Sequence, residues 1–305
     1  MTKFKKISKS IFIILFSCFL AILPAFIFKD ISFYLDVNAK KDNLSLLTIW
    51  HCETHEGGKQ SRLSYLKILA TEFEKEYKGI MVYVRLLSPD EVESLLLKGE
   101  KPDLLSFGSG VDVSVANSLL GLNHEYGVRD DFLSSGKVNK HLLALPYMVS
   151  GYVYVLRESQ TNPQEYISQN VDKILTANTG RVYYDKQNFN LKNTYTSYQA
   201  YVEYKKGDAP ILLGTMRDVA RLTTNGQGNY QYIPAEYTNL AQYIGKCKDS
   251  EMADNFIAKL FSPSAQSKLV DMGLFSPNYR TKQYYSSPYS QIEDVIAKLE
   301  LARLW

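Results

Sequence analysis

The sequence predicts an α/β protein built around two sheets, and three observations carry that prediction. Short apolar runs rich in Val, Ile, Leu and Tyr alternate with stretches whose apolar residues recur three and four positions apart. The first three runs come in the order strand, helix, strand, helix, strand, the rhythm of a parallel sheet covered by helices. After a polar middle a second series of apolar runs begins, and 305 residues at 45% hydrophobic are enough for one large domain or two lobes.

Residues 46–52, LLTIWHC, read as a buried strand closed by polar residues and Gly57-Gly58. Residues 61–77 read as an amphipathic helix, with Leu63, Leu66, Ala70, Phe73 and Tyr77 on one face. Residues 80–87 form the second strand. Ser88-Pro89 then opens a helix running to about Lys98, with Glu91 in the capping-box position. Residues 103–107 form the third strand, ended by Gly108-Ser109-Gly110.

Leu145-Pro146-Tyr147 breaks the pattern, and residues 151–157, GYVYVLR, resume it as a strand. Residues 158–209 are rich in Asn, Gln, Lys and Tyr and receive no assignment before the strand at 210–213. A helix over 216–222, strands over 230–233 and 240–244, helices over 249–261 and 263–272, and a last helix over about 289–304 complete the chain. In open α/β sheets ligands bind beyond the carboxyl ends of the strands, which here means 51–60, 106–112 and 214–218.

The net charge is +3, but Lys3, Lys5, Lys6 and Lys9 supply more than that, so the rest is slightly acidic and a nucleic-acid partner loses its support. Residues 11–28 carry no charge and as a helix would span roughly 27 Å, close to the hydrocarbon thickness of a bilayer. Lysines on its N-terminal side keep that end cytoplasmic, so the expectation is an uncleaved anchor over 1–28, a linker over 29–45 and an extracytoplasmic remainder at the cell membrane. A cleaved signal peptide and a lipoprotein acylated at Cys18 are the alternatives. Cys52 and Cys247 are too few for a disulfide framework.

His51, Cys52, Glu53, His55 and Glu56 crowd into six positions, which raises metal and acid/base chemistry. Neighbours on a strand point to opposite faces, and Cys52-x-x-His55 has no matching second pair, so no metal and no cofactor is expected. No nucleophile elbow and no phosphate loop occurs elsewhere, so an enzyme is not expected; a surface hydrolase using Glu53 and Glu56 is the alternative. As the wall of a cleft the stretch makes more sense: Gly57 lets the backbone turn close to a ligand, and Ser61 caps a helix with Arg62 in its first turn.

At this point the order of segments resembles the extracellular solute-binding proteins of ABC importers, in the carbohydrate-binding branch with a type II periplasmic-binding fold. LTIWHCETHEGG, FEKEYKGIMVYVR, KPDLLSFGSGVD, LPYMVSGYVYVLR, APILLGTMRDVARL and NFIAKLFSPSAQSKLVDMGLFSPN carry the likeness, covering nearly everything after residue 46. The resemblance implies a two-lobed fold with a hinge cleft. Lobe 1 would hold 46–147 and 239–277, lobe 2 would hold 148–238 and 278–305, and crossing segments would lie near 145–150, 236–240 and 276–280. It also implies binding of a carbohydrate or other small polar solute, hinge closure and delivery to permease subunits. The second lobe is shorter than the family's usual one, which keeps a ligand-sensing homologue without transport as an alternative.

Sugars are held by aromatic rings flanked with fixed polar groups. The ligand-binding candidates are therefore the aromatics at strand ends and crossings, Trp50, Phe107, Tyr147, Tyr152 and Tyr237, with His55, Glu56, Gly57 and Arg62 from the first loop. The resemblance adds Arg217 and Asp218 in the Gly214–Asp218 turn, and Asp112 has the same standing; a helix-capping salt bridge is the competing role.

Overall fold

The structure is a computed structural model that describes residues 45–52, 61–108, 111–177, 195–224, 229–278 and 300–301. Strand β1 (Ser45–His51) is buried from Leu47 apart from a partly exposed Thr48. Ser61 then caps helix α1 (Arg62–Glu76), its hydroxyl accepting from the Ser64 N–H at 3.0 Å. Tyr65, Leu66, Leu69, Ala70 and Phe73 form the buried face of α1, with Leu63 packed at its margin. Strand β2 (Ile80–Leu86) follows, buried at Val82 and Val84. Helix α2 (Pro89–Leu97) opens with the expected capping box: the Glu91 N–H donates to the Ser88 hydroxyl at 3.3 Å, and the Glu91 carboxylate accepts from the Ser88 N–H at 2.7 Å. Strand β3 (Leu104–Gly108) is buried throughout. Helix α3 (Asp130–Leu133) and the hairpin of β4 (Lys137–Val138) and β5 (His141–Leu142) lead to β6 (Ala144–Val149).

The second half contributes β7 (Tyr152–Leu156), α4 (Pro163–Gln169), β8 (Ile174–Thr176), α5 (Ser197–Lys206), β9 (Ile211–Thr215), α6 (Met216–Thr224) and β10 (Gln231–Pro234). Then come β11 (Tyr237–Thr238), β12 (Ala241–Lys246), α7 (Glu251–Leu260), α8 (Pro263–Gln266), a 3₁₀ segment over Ser267–Met272 and β13 (Glu300–Leu301).

Two sheets result. The first has the order β2-β1-β3-β12-β6, and the second β10-β7-β9-β8. In the first, β1 and β3 run parallel, with His51 opposite Ser106, but β12 is antiparallel to both β3 and β6. The expected parallel sheet is therefore mixed, because β12 returns from the second sheet and is laid in the opposite direction between strands formed earlier. In the second sheet the alternation of period two is plain. Val153, Val155 and Leu212 face one apolar cluster with Ala200 and Tyr204, while Tyr152, Tyr154, Leu156, Ile211 and Leu213 face another.

Two further expectations are corrected. Leu145-Pro146-Tyr147 does not interrupt the sheet: it lies inside β6, the edge strand, where a missing N–H is tolerated. The register slips beside it, Gln242 facing Met148 while Tyr243 faces Pro146, so Tyr147 is the extra residue of a bulge. The last helix is contradicted at Glu300–Leu301, which pair in parallel with Tyr237–Thr238. The remainder of that helix lies outside the described residues, as does the apolar stretch 11–28. Among the described residues no helix is long and apolar enough to cross a membrane.

Three segments run side by side where the chain passes between the sheets. The Thr238 hydroxyl donates to the Ser150 carbonyl at 2.7 Å, and the Ser150 N–H donates to the Leu240 carbonyl at 2.8 Å. Val149 and Phe275 exchange both backbone bonds, at 3.0 and 2.9 Å.

Candidate binding site

The carboxyl ends of β1, β3 and β6 meet the amino end of the antiparallel β12 in a buried polar cluster. His51, Arg62, Ser106, Tyr147 and Gln242 are each fully buried there. Parallel pairing of β1 and β3 puts His51 and Ser106 level and on one face, and the His51 Nδ1 lies 2.8 Å from the Ser106 hydroxyl. The bulge at Tyr147 brings its phenol to 2.9 Å from the same hydroxyl. Gln242 reaches across from β12. Its Nε2 donates to the Cys52 carbonyl at 2.8 Å and to Ser106 Oγ at 3.1 Å, and its Oε1 accepts from Arg62 Nη1 at 3.2 Å. Burial first, and then the Arg62 charge, drive the His51 pKa down to about 3, so the ring is neutral at physiological pH. Its Nε2 has no hydrogen-bond partner among the described residues.

This geometry does not suit a serine nucleophile, since Ser106 Oγ is sealed and already shared among three polar groups. Among the described residues no three His, Cys, Asp or Glu side chains are placed to hold a metal ion. Cys52 and Cys247 are free thiols, raised by burial to about 11 and about 12. The Cys52 N–H donates to the Ser106 carbonyl and the Cys247 N–H to the Asp103 carbonyl, so they sit at opposite ends of β3, too far apart to pair.

The second sheet offers a smaller constellation. Asp218 caps the start of α6: its Oδ2 accepts from the Thr215 N–H at 2.9 Å, and its Oδ1 lies 3.4 Å from Arg221 Nη1. The capping salt bridge weighed against ligand binding is thus formed, with Arg221 as the partner. Arg217 is buried in the first turn of the same helix. Tyr152 donates its phenol proton to Asn239 Oδ1 at 2.7 Å. Tyr152, Ser197, Thr215 and Asp218 line a cavity about the size of one water molecule.

The other candidates scatter. Trp50 is 7% exposed within the first apolar core, and Phe107 is fully buried with its ring 6.1 Å from Tyr243, so both pack as core. Asp112 is exposed and caps the 3₁₀ turn Val113–Ser118, its Oδ1 accepting from the Ser114 N–H at 2.7 Å; that bond holds its carboxyl below the usual range. Tyr237 is half-buried opposite Glu300. Glu53, His55, Glu56 and Gly57 lie outside the described residues. Arg62 and Tyr147 are the two candidates that one network brings together. Ser106 and Gln242, its centre, went unnoticed in the sequence, although each is the polar exception in an apolar strand, LLSFG and LAQYIG.

No family model matches the chain, and no curated protein matches it in sequence. Solved structures do match in fold. The maltose-maltodextrin binding protein of Alicyclobacillus acidocaldarius superposes with a TM-score of 0.62 at 11% identity, covering 85% of this chain and 90% of that one. The galacto-N-biose/lacto-N-biose I-binding protein of an ABC transporter from Bifidobacterium longum gives 0.61 at 12% identity, covering 85% and 86%. The GacH receptor of Streptomyces glaucescens, solved without ligand and with acarbose, gives 0.59 at 12%, covering 86% and 89%. The described chain therefore has the α/β fold of these binding proteins.

Proposed function

We propose that the chain is an extracytoplasmic solute-binding protein that captures a carbohydrate between two lobes and hands it to an ABC-type permease. The observation that supports this most is the lacing of Val149–Ser150, Thr238–Leu240 and Phe275 between two otherwise separate sheets. Such a strap lets two lobes rotate with little loss of contact, and a ligand touching both shifts the open-to-closed equilibrium by its differential contacts. The fold relatives that bind maltodextrin, lacto-N-biose or acarbose support a sugar as the ligand class. In this reading lobe 1 comprises 46–147 and 239–277, and lobe 2 comprises 148–238 and 278–305. In the same reading residues 11–28 are the membrane anchor, and His55, Glu56 and Gly57 are ligand-binding residues of the first lobe.

Thermal unfolding of the full-length chain with maltotriose, lacto-N-biose and other unmodified oligosaccharides tests the reading. A saturable rise in Tm with no product formed is the expected result. Product formation abolished by Glu56→Gln would overturn it in favour of a hydrolase, and no shift with any sugar would overturn the carbohydrate assignment.

A further inference from the structure

We infer that Gln242 is the positioning residue for the end of β1 and the start of α1: a single buried amide that ties Cys52 to Arg62. The Nε2 of Gln242 donates to the Cys52 carbonyl at 2.8 Å, on the residue directly after β1. Its Oε1 accepts at 3.2 Å from Arg62, in the first turn of the helix after it. The second Nε2 hydrogen goes to Ser106 Oγ at 3.1 Å, so the amide is also fixed to the strand between. A primary amide has two donors and one acceptor oxygen, and all three are used here in different directions. A side chain with only acceptors, or with neither, cannot make this set of bonds.

The position of Gln242 in the chain adds a second consequence. It is the second residue of β12 and follows Leu240, which is bonded to Ser150 in the strap between the sheets. The residue that ties Cys52 to Arg62 therefore sits on the strand that enters from the strap. Its importance for affinity rests on the binding reading above; its hold on Cys52 and Arg62 does not.

Amide hydrogen exchange of the unliganded full-length chain tests the hold directly, followed by mass spectrometry of peptides covering 48–52 and 61–66. In Gln242→Leu, exchange there should rise by about tenfold or more while peptides over Tyr152–Leu156 and Ile211–Thr215 stay at the wild-type rate. Gln242→Glu keeps an acceptor for Arg62 but loses the donor for Cys52, so it should loosen the 48–52 segment and spare the 61–66 segment; it also serves if the Leu variant does not fold. Gln266→Leu is the control. Gln266 is equally buried and donates to the Tyr147 and Leu260 carbonyls, so its loss should lower stability without this localised pattern. Unchanged exchange at both segments in Gln242→Leu, or an equal rise in all peptides, overturns the inference. Titration of the same variants with maltotriose is read separately: if wild type binds no sugar the carbohydrate reading fails, while the exchange result stands on its own.

Discussion

The imidazole Nδ1 of His51 lies 2.8 Å from the hydroxyl of Ser106 on the neighbouring parallel strand, and neither side chain reaches water. A neutral ring fits this place, because a charged one would be desolvated beside Arg62. The consequence is a specific pH dependence. Above about pH 6.5 neither the folded nor the unfolded chain protonates this histidine, and it contributes nothing to the slope. As pH falls below 6.5 the unfolded chain takes up the proton and the folded chain, with its pKa down at about 3, does not. Stability is therefore lost on acidification, by at most about 1.4 kcal/mol per pH unit in that window. Asn at this position does not titrate. The stability of wild type minus that of His51→Asn, from urea unfolding between pH 6.5 and 4, should shrink steadily as pH falls. A constant difference would mean that the folded ring accepts the proton.

Ser106 should matter more than Tyr147, although they share a hydrogen bond. Tyr147→Phe leaves Ser106 Oγ with His51 and Gln242, so it should cost about 1 kcal/mol. Ser106→Ala takes the partner from the His51 Nδ1, on a ring whose Nε2 has none among the described residues, and the cost should be about 2–3 kcal/mol. Chemical denaturation of the two variants decides the order, and the reverse order would place the energetic centre of the cluster at the phenol.

Most of the elements of the first sheet were legible because their signals are local. Ser88-Pro89 with Glu91 specifies a helix start by its own hydrogen bonds, and the α1 face repeats at helical spacing. What escaped the sequence was set from a distance. The strand role of Leu145-Pro146-Tyr147 depends on β6 being an edge, and that follows from β12 arriving some hundred residues later. The helix α5 hid in a polar stretch, though Thr196 and Gln199 do form its capping box, a signal of the same kind as Ser88 and Glu91. At the site, Arg62 and Tyr147 were read from loop and crossing positions, but the residue that joins them is separated from Arg62 by 180 positions. No spacing rule reaches that far. The readable clue was a glutamine in a strand that is otherwise apolar, since a buried amide must find partners.

Gly273 packs directly against the first turn of α6. Its φ is +70°, and a Cβ there would stand 2.9 Å from the Met216 carbonyl oxygen and 3.0 Å from Ala220 Cβ. Gly207 also has a positive φ, +104°, but a Cβ there meets nothing within 4 Å. Both alanine variants share the backbone strain, and the contact is extra for one of them. Gly207→Ala should cost about 1 kcal/mol and Gly273→Ala about 2–3 kcal/mol. Equal losses in thermal unfolding would show that α6 yields freely at this contact.

Asp218 separates a capping role from a ligand-binding one. Its Oδ2 accepts the Thr215 N–H at 2.9 Å at the entry to α6, and Oδ1 faces Arg221 at 3.4 Å. Both carboxylate oxygens are engaged within one helical turn, and the side chain is 6% exposed. Asparagine keeps one acceptor for the Thr215 N–H and surrenders the charge beside Arg221, a pair worth little at this length. Alanine removes the cap altogether. Asp218→Asn should therefore lie within about 0.5 kcal/mol of wild type, and Asp218→Ala should lose about 1–2 kcal/mol. If capping is the whole role, Asp218→Asn also leaves oligosaccharide affinity unchanged in calorimetric titration. A loss of affinity in the Asn variant without a loss of stability would instead assign the carboxylate to the ligand, with the cap as the means of holding it there.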